Sequence, residues 1–284
     1  MKTLVTHVAH VGNGEHMFMG QRVLGDLLGH ESLTGLFALA VLGRRISPEE
    51  ARLLDGLSTA VTAADPRIWP LKASRIAASY GDMLAGRAVG QLAMMGTFIG
   101  PRIIGYAAEH LQSLHRASDG AAAEDMDRVH LEHVTTTKRL AGFGVPFRPE
   151  DERLTALRRF MKDTGRDQLP YWRAQEGLSA FLVRDRGLPA NVGIGIAAGL
   201  LDLGCTPTQA GALGTMIHQQ DFDANCFEAA QQRSPELQRL PETCVSYVGT
   251  AARRSPRATE ERRPAPVVSL YADDGLPYGL AAQG

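Results

Sequence analysis

Apolar residues recur along this chain at three- and four-residue steps and almost nowhere in alternation. Leu24, Leu27 and Leu28, followed by Leu33, Leu36, Phe37, Leu39 and Ala40, mark helix over residues 20–44, because such steps stack side chains on one helical face. Gly43 can end it ahead of Arg44 and Arg45, since glycine takes the left-handed cap without penalty. Ser47-Pro48-Glu49-Glu50 is a helix start, with a hydroxyl at the N-cap, proline in the first turn and acids toward the positive end of the helix. The helix it opens turns Leu53, Leu54 and Leu57 inward. Further helices are expected from about Leu71 to Leu84, from Glu124 to Arg139, and from Pro149 with Leu154, Leu157 and Phe160 on one face. Another ends at Pro189, an apolar one runs from Asn191 to Leu203, and Thr206-Pro207 opens one that continues past His218. The most apolar window, Gly90 to Ala108, carries Pro101, Arg102 and four glycines, so it reads as closely packed helix and loop rather than a membrane span.

No sustained run of alternating Val, Ile, Thr and Tyr marks strands. An all-α fold is expected, and no internal repeat stands out. Gly142-Phe143-Gly144-Val145-Pro146 breaks the helical pattern, and beyond Gly249 the chain turns charged and proline-rich. Residues 251–284 are expected to form a C-terminal arm.

Composition narrows the function classes. The 284 residues carry 30 Lys and Arg against 31 Asp and Glu, a formal charge of −1, so no global field draws the chain to nucleic acid or an anionic membrane. A 44% hydrophobic and 21% charged sequence fits a globular protein with one large core or two smaller ones. Cys205, Cys226 and Cys244 form an odd set without CxxC spacing, which suits a reduced cytoplasm better than a disulfide framework or zinc site. The start lacks a basic stretch followed by an apolar run, so no signal peptide is expected. His130 and His133, like His7 and His10, lack a third convergent ligand, so solvated histidines and no metal site are expected. Gly193-x-Gly195-x-x-x-Gly199 has the look of a dinucleotide loop, but no βα unit surrounds it.

One ordered series of short motifs goes further. Asn191-Val192-Gly193 opens a glycine- and alanine-rich helix that resembles the Asn-Val-Asp helix of the citrate synthase superfamily, above all of its short members, the citryl-CoA lyases. Leu27-Leu28-Gly29, Leu36-Phe37-Ala38-Leu39 and Ser47-Pro48-Glu49-Glu50 resemble the family's opening helices. Ala64-Asp65-Pro66-Arg67 with Ser74-Arg75-Ile76-Ala77-Ala78-Ser79 is similar to its Ala-Asp-His-Gly…Ala-Arg…Ser stretch. Gly142-Phe143-Gly144 and Asp151-Glu152-Arg153 resemble Gly-Phe-Gly-His…Asp-Pro-Arg, and Pro146 stands where citryl-CoA lyases also place proline. Ile217-His218-Gln219 resembles the Ala-His after the Asn-Val-Asp helix, and Tyr247-Val248-Gly249 the closing Tyr-x-Gly. The likeness covers roughly residues 20–249.

That resemblance implies a citrate synthase-like fold, with a large helical domain of residues 1–110 and 201–250 and an inserted small helical domain of residues 111–200. It also implies a homodimer with the cleft between domains, no covalently bound cofactor, and a CoA thioester as substrate. The family's chemistry needs an Asp base and two histidines. Here the Asp position is Gly193, the His after Gly-Phe-Gly is Val145, and the remaining His falls on Ile99 or Ile103, depending on register. Pro66 replaces a further His and Gly211 an Arg. None of these substitutes moves a proton, so the family's reaction cannot run by its usual route.

Arg75, Arg102, Arg148 and Arg153 remain in or beside the family's ligand segments, where guanidinium forks would suit a carboxylate or phosphate. The Gly142-Phe143-Gly144 turn resembles the loop whose main chain holds the CoA adenine, and Asn191 stands at the helix start, as a cap or a ligand contact. His218, Tyr106 and Asp151 are the candidates for altered chemistry. Two classes stay open: an enzyme with a rebuilt pocket acting on a CoA thioester or polycarboxylate by altered carbon–carbon chemistry, or a non-catalytic homologue serving as a ligand-binding or partner subunit.

Overall fold

The computed structural model describes residues 3–96, 99–146, 148–236 and 241–251. The chain divides into two compact units, residues 1–232 and 233–284. The first holds eleven α-helices among the described residues: α1 (Leu33–Leu42), α2 (Pro48–Thr59), α3 (Trp69–Tyr80), α4 (Met83–Met94), α5 (Pro101–Ser118), α6 (Met126–Thr136), α7 (Glu152–Asp163), α8 (Pro170–Arg186), α9 (Val192–Asp202), α10 (Pro207–Ile217) and α11 (Gln219–Ala230). In the second, a 3-10 turn spans Glu242–Cys244, and the Tyr247 hydroxyl donates to the Thr250 carbonyl at 3.0 Å. The expected arm lies outside the described residues except for Ala251.

Helix boundaries follow local chemistry. Ser47 caps α2 reciprocally with Glu50, and Thr206 caps α10 in the same way with Gln209, so orphan N–H groups at both starts find acceptors. The expected helix over 71–84 is two helices, because Gly81 ends α3 and the Asp82 carboxylate caps α4 by accepting from the Ala85 N–H at 2.9 Å. The helix expected to run past His218 stops at Ile217, and His218 becomes the joint between α10 and α11.

The N-terminal expectation needs correction. Residues 9–22 form a three-stranded antiparallel meander, β1 (Ala9–Gly12), β2 (Glu15–Phe18) and β3 (Gln21–Arg22), followed by a π-helical turn Val23–Leu27. Gly12 pairs with Glu15 across the two-residue turn Asn13-Gly14, and Asn-Gly is the usual sequence of such a hairpin. Four-residue strands leave too little alternation to register as a strand signal. The other elements of the first unit, among the described residues, are helices joined by loops.

Helix α9 is the axis of the core. Every side chain from Ile194 to Leu201 is buried, and α2, α5, α7, α8 and α10 pack around it. A helix apolar on all sides is stable only when surrounded in this way. Its glycines make the approach close: a Cβ at Gly195 would stand 2.7 Å from Leu154 Cδ1 and 3.1 Å from Leu157 Cδ2. At its far end the Asp202 carboxylate accepts from the Tyr171 and Trp172 N–H groups at 3.0 and 2.9 Å, capping α8. One hydrophobic cluster takes in Leu53 and Leu57, Leu154 and Trp172, and Leu213. The segments assigned to a large and an inserted domain therefore share a core.

Gly142, in the loop before α9, has φ +87, and a Cβ there would lie 2.7 Å from Ile194 Cβ and 2.9 Å from its backbone nitrogen. Gly142→Ala combines a left-handed backbone with overpacking against a fixed helix, so denaturant unfolding should show a loss of about 2–4 kcal/mol. Gly204, at φ +90 with open space around it, should lose only about 1 kcal/mol on the same change. Equal effects at the two sites would contradict the packing described for Gly142.

Candidate functional site

The start of α9 is tied to the loop before it by main chain and side chain together. Gly144 N–H donates to the Pro189 carbonyl at 2.7 Å, Asn191 N–H donates to the Gly142 carbonyl at 2.9 Å, and Phe143 and Ala190 form a β-bridge. The Asn191 amide caps α9 by accepting from Gly193 N–H at 2.9 Å while donating to the Gly144 carbonyl at 3.1 Å. Asp151 fixes the third side: its buried carboxylate accepts from Val192 N–H at 2.8 Å and from Arg153 N–H at 3.1 Å, and pairs with both arms of the Arg153 guanidinium at 2.9 and 2.8 Å. Burial alone would raise the Asp151 pKa, but the guanidinium and the two N–H groups outweigh it and hold the carboxyl below its usual value.

This arrangement frames a cleft of about 670 Å³. Val61, Ala64, Ile68, Met94 and Phe222 line it, and Ile99, Ile103, Ile104, Val192 and Ile196 add further aliphatic surface. Phe143, Gly144, Val145 and Pro146 come from the loop. Among the described residues the polar side chains in the lining are Asp151, Arg153, Asn191, His218 and Asp221.

All four positions where the resemblance places a lost catalytic group reach the cleft: Ile99, Ile103, Val145 and Gly193. Both registers therefore put an isoleucine in the lining, Ile99 ahead of α5 or Ile103 within it. A Cβ at Gly193 would meet only Asn191 Oδ1 at 3.0 Å and Gly142 Cα at 3.9 Å, so the position is crowded by a capping side chain rather than closed by backbone.

Other expected site residues stand elsewhere. Arg75 bridges α3 and α11, bonding Asn225 Oδ1 at 3.2 Å and Glu228 Oε2 at 2.5 Å. Arg148 is exposed and pairs with Glu152, and Arg102 is exposed on α5. Tyr106 lies under the Arg139 guanidinium, 4.9 Å from its ring centre, with no place in the lining. Gly142 sits behind the loop against Ile194. Of the four arginines, Arg153 alone lines the cleft. Asp151, a candidate for chemistry, is instead taken up by Val192 and Arg153, so its lone pairs are occupied.

Two groups escaped the sequence reading. Asp221 is buried in the lining, where desolvation pushes its carboxyl up to about 6 against the Ala64 N–H and the Asn225 amide. Its three-residue step from His218, across a helix joint, was the available signal. His218 Nδ1 donates to the Gly214 carbonyl at 2.7 Å, which leaves Nε2 as the acceptor of a neutral ring. Burial lowers its pKa, and the Arg153 charge lowers it further.

The second group corrects the expectation of solvated histidines. His130 and His133 are buried, with His110, between α5, α6 and α8. His110 Nε2 donates to the Ala141 carbonyl at 2.8 Å, its Nδ1 faces His133 Nε2 at 3.4 Å, and its ring centre is 6.2 Å from that of Phe143. The loop thus rests on a neutral imidazole. Among the described residues no group of three or more His, Cys, Asp or Glu could hold a metal ion. Cys205 and Cys226 are buried free thiols and Cys244 is exposed.

No family model matches the chain, and no curated protein matches it in sequence. Solved structures do. A citryl-CoA lyase from Hydrogenobacter thermophilus superposes with a TM-score of 0.75 at 22% identity, over 90% of this chain and 98% of that one. This is a citrate synthase-like fold. An ATP citrate lyase from Methanothrix soehngenii, solved with citrate and coenzyme A, matches at TM-score 0.69 and 15% identity over 88% of this chain and 42% of its own. A citrate synthase from Thermoplasma acidophilum matches at 0.59 and 16%, over 79% and 59%. The expected all-α, citrate synthase-like class is thereby met, and this chain carries a small N-terminal sheet beside its helices.

Burial pushes the His110 imidazole down to about 4, with the Ala141 carbonyl opposing and His133 assisting. An imidazole depressed in the folded state stabilises fully above its unfolded pKa of about 6.5, and that contribution is lost as pH falls through 4, on the order of 3 kcal/mol in all. Asp202 and Asp221, both raised to about 6, have the opposite sign and weaken the fold as pH rises through 6. His110→Gln keeps a donor for Ala141 and cannot titrate. The stability difference between it and the native chain should therefore narrow from pH 7 to pH 4; a constant difference would mean His110 is not held neutral.

Proposed function

We propose that this cleft binds a CoA thioester or a polycarboxylate-type substrate and acts on it by altered carbon–carbon bond chemistry, of acyltransferase or lyase type. One observation carries the reading: the loop 142–146, the capped start of α9 and Arg153 frame a cleft of about 670 Å³ on a citrate synthase-like fold. The neighbours in structure include an ATP citrate lyase solved with citrate and coenzyme A. Phe143 to Pro146 line the cleft and offer main-chain groups to the CoA adenine, and Arg153 is the cation for a carboxylate or phosphate. The aliphatic lining replaces groups that would hold a keto acid, which favours an apolar acyl chain over a small polycarboxylate. No covalent cofactor or metal is needed in this reading. The absence of any acid or imidazole at Ile99, Ile103, Val145 and Gly193 is what favours the second reading, a non-catalytic homologue that binds a ligand or a partner subunit.

A thermal-shift screen of CoA esters and polycarboxylates tests binding, since a ligand of the folded state raises the melting temperature by mass action. CoA esters should stabilise the native chain, and Arg153→Ala should weaken them about 10–100-fold, the scale of one charge-assisted hydrogen bond. Acetyl-CoA with oxaloacetate should release no free thiol above background, and citryl-CoA should not be cleaved. Turnover at an ordinary family rate would mean that Gly193, Val145 and the isoleucines do not hold the family positions. Binding without turnover of any ester favours the second reading.

We also propose a homodimer, working in the cytoplasm and without nucleic-acid or membrane partners. No helix among the described residues is long and apolar enough to cross a membrane. Helix α4 supports the dimer: its outer stripe of Leu84, Ala85, Ala88, Val89 and Leu92 is exposed and wholly apolar, and Met95 extends it. Its inner side is fixed by Gly86 and Gly90 against Ala78 and Phe222. A contiguous apolar stripe of this kind marks a contact surface. Sedimentation at low micromolar concentration should give twice the 30.6 kDa chain mass, and Leu84→Glu with Leu92→Glu should return it to the single mass. A native chain sedimenting as a monomer would contradict the proposal.

A further inference from the structure

Two carboxylates among the described residues line the cleft, and they differ in kind. Asp151 is locked into an ion pair and two N–H bonds. Asp221 is 7% exposed, and its partners among the described residues are neutral: the Ala64 N–H and the Asn225 Nδ2, the latter at 3.1 Å. Phe222 follows it on α11, and Ala64, Ile68 and Met94, which pack with Phe222, line the same cleft. A carboxyl in such a place, held by two amide donors and paired with no cation among the described residues, can exist in either protonation state near neutral pH. Its raised titration point agrees with this.

We propose that Asp221 is the proton-transfer group of this cleft. It would take a proton from the α-carbon of a bound acyl-CoA and return one, from the wall of the cleft formed by α11 rather than from the start of α9. The step balances without a further reactant. The α C–H bond breaks, its electron pair moves into the enolate with the charge on the thioester oxygen, and the proton passes to Asp221 Oδ. Reversal returns a proton to the same carbon. Arg153, the only Lys or Arg among the described lining residues, holds Asp151 through Nε and Nη2 and would give the enolate oxygen a hydrogen bond from its remaining nitrogen; its charge already reaches His218. His218, with Nδ1 turned to the Gly214 carbonyl, is a neutral neighbour. The charged groups that face α11 from α3 and α4 are Arg75 and Arg87, which are bound to Glu228 and to Asp223 respectively. Neither lines the cleft.

This inference rests on the CoA-thioester reading above, and the two fail separately in one experiment. Native protein is incubated in heavy water with acetyl-CoA and with isobutyryl-CoA. Deuterium at the α-carbon is followed by mass spectrometry, and binding of the same esters is measured by equilibrium dialysis. The expected result is exchange that rises with pH through a midpoint near 6 and then levels. Asp221→Asn should retain ester affinity within about threefold and lose exchange by about 100-fold or more, while Asp221→Glu keeps part of it. Bound ester with no exchange in the native protein, or exchange undiminished in Asp221→Asn, overturns the role of Asp221 and leaves the binding reading intact. No ester bound by the native protein overturns both. Should Asp221→Asn not fold, the Asp221→Glu rate and the native pH profile decide: a rate independent of pH between 5 and 8 overturns the proposal.

Discussion

The cleft depends on one buried carboxylate. Asp151 receives Val192 N–H at the start of α9, Arg153 N–H at the start of α7, and the Arg153 guanidinium. Two helix starts are thereby held to a single anion, each with its positive end turned toward the charge. Removal of the charge would leave the guanidinium and both N–H groups without the acceptor they share. Everything that frames the cleft hangs on this junction: the Asn191 cap, the loop 142–146 that Asn191 grips, and Arg153 itself. The same bonds keep Asp151 from acting as a base. A group can fix the geometry of a site at the cost of its own reactivity.

The helices were largely legible in the sequence because their signals are local. Ser47 and Thr206 announce capping boxes, and the unbroken apolar run after Asn191 can only be a surrounded helix. What was missed has local causes too. The break at Gly81-Asp82 hid inside a continuous apolar pattern, because the cap depends on one side chain bonding three residues ahead. The meander of residues 9–22 is made of strands too short for period-two counting; the Asn13-Gly14 pair was its readable mark. The shared core of the expected domains is a long-range fact, and no residue spacing carries it.

The site was legible in part and for a different reason. Positions 99, 103, 145 and 193 converge on one cleft although they are far apart in the chain, and the ordered motifs were what brought them together. Arginines are harder to place from motifs, since a guanidinium reaches any acid nearby. Arg75 found Glu228 and Arg148 found Glu152, and neither faces the cleft. The buried histidines were misread because a charged helix conceals which of its faces packs: His130 and His133 fall on the inner face of α6 while Glu132 and Leu131 stay outside. Asp221 went unnoticed because an acid two residues before another, Asp223, looks like ordinary helix surface.

The central claim is that this cleft is an acyl-CoA site with its chemistry moved off the family positions. A crystal structure with a non-hydrolysable acyl-CoA thioether tests it most directly. The account predicts the CoA moiety along the Phe143–Pro146 main chain, an anionic group within reach of Arg153, and the acyl carbon in van der Waals contact with Ile99 or Ile103 and close to Asp221. A ligand seated elsewhere on the protein, with the cleft filled only by solvent at saturating concentration, would contradict it.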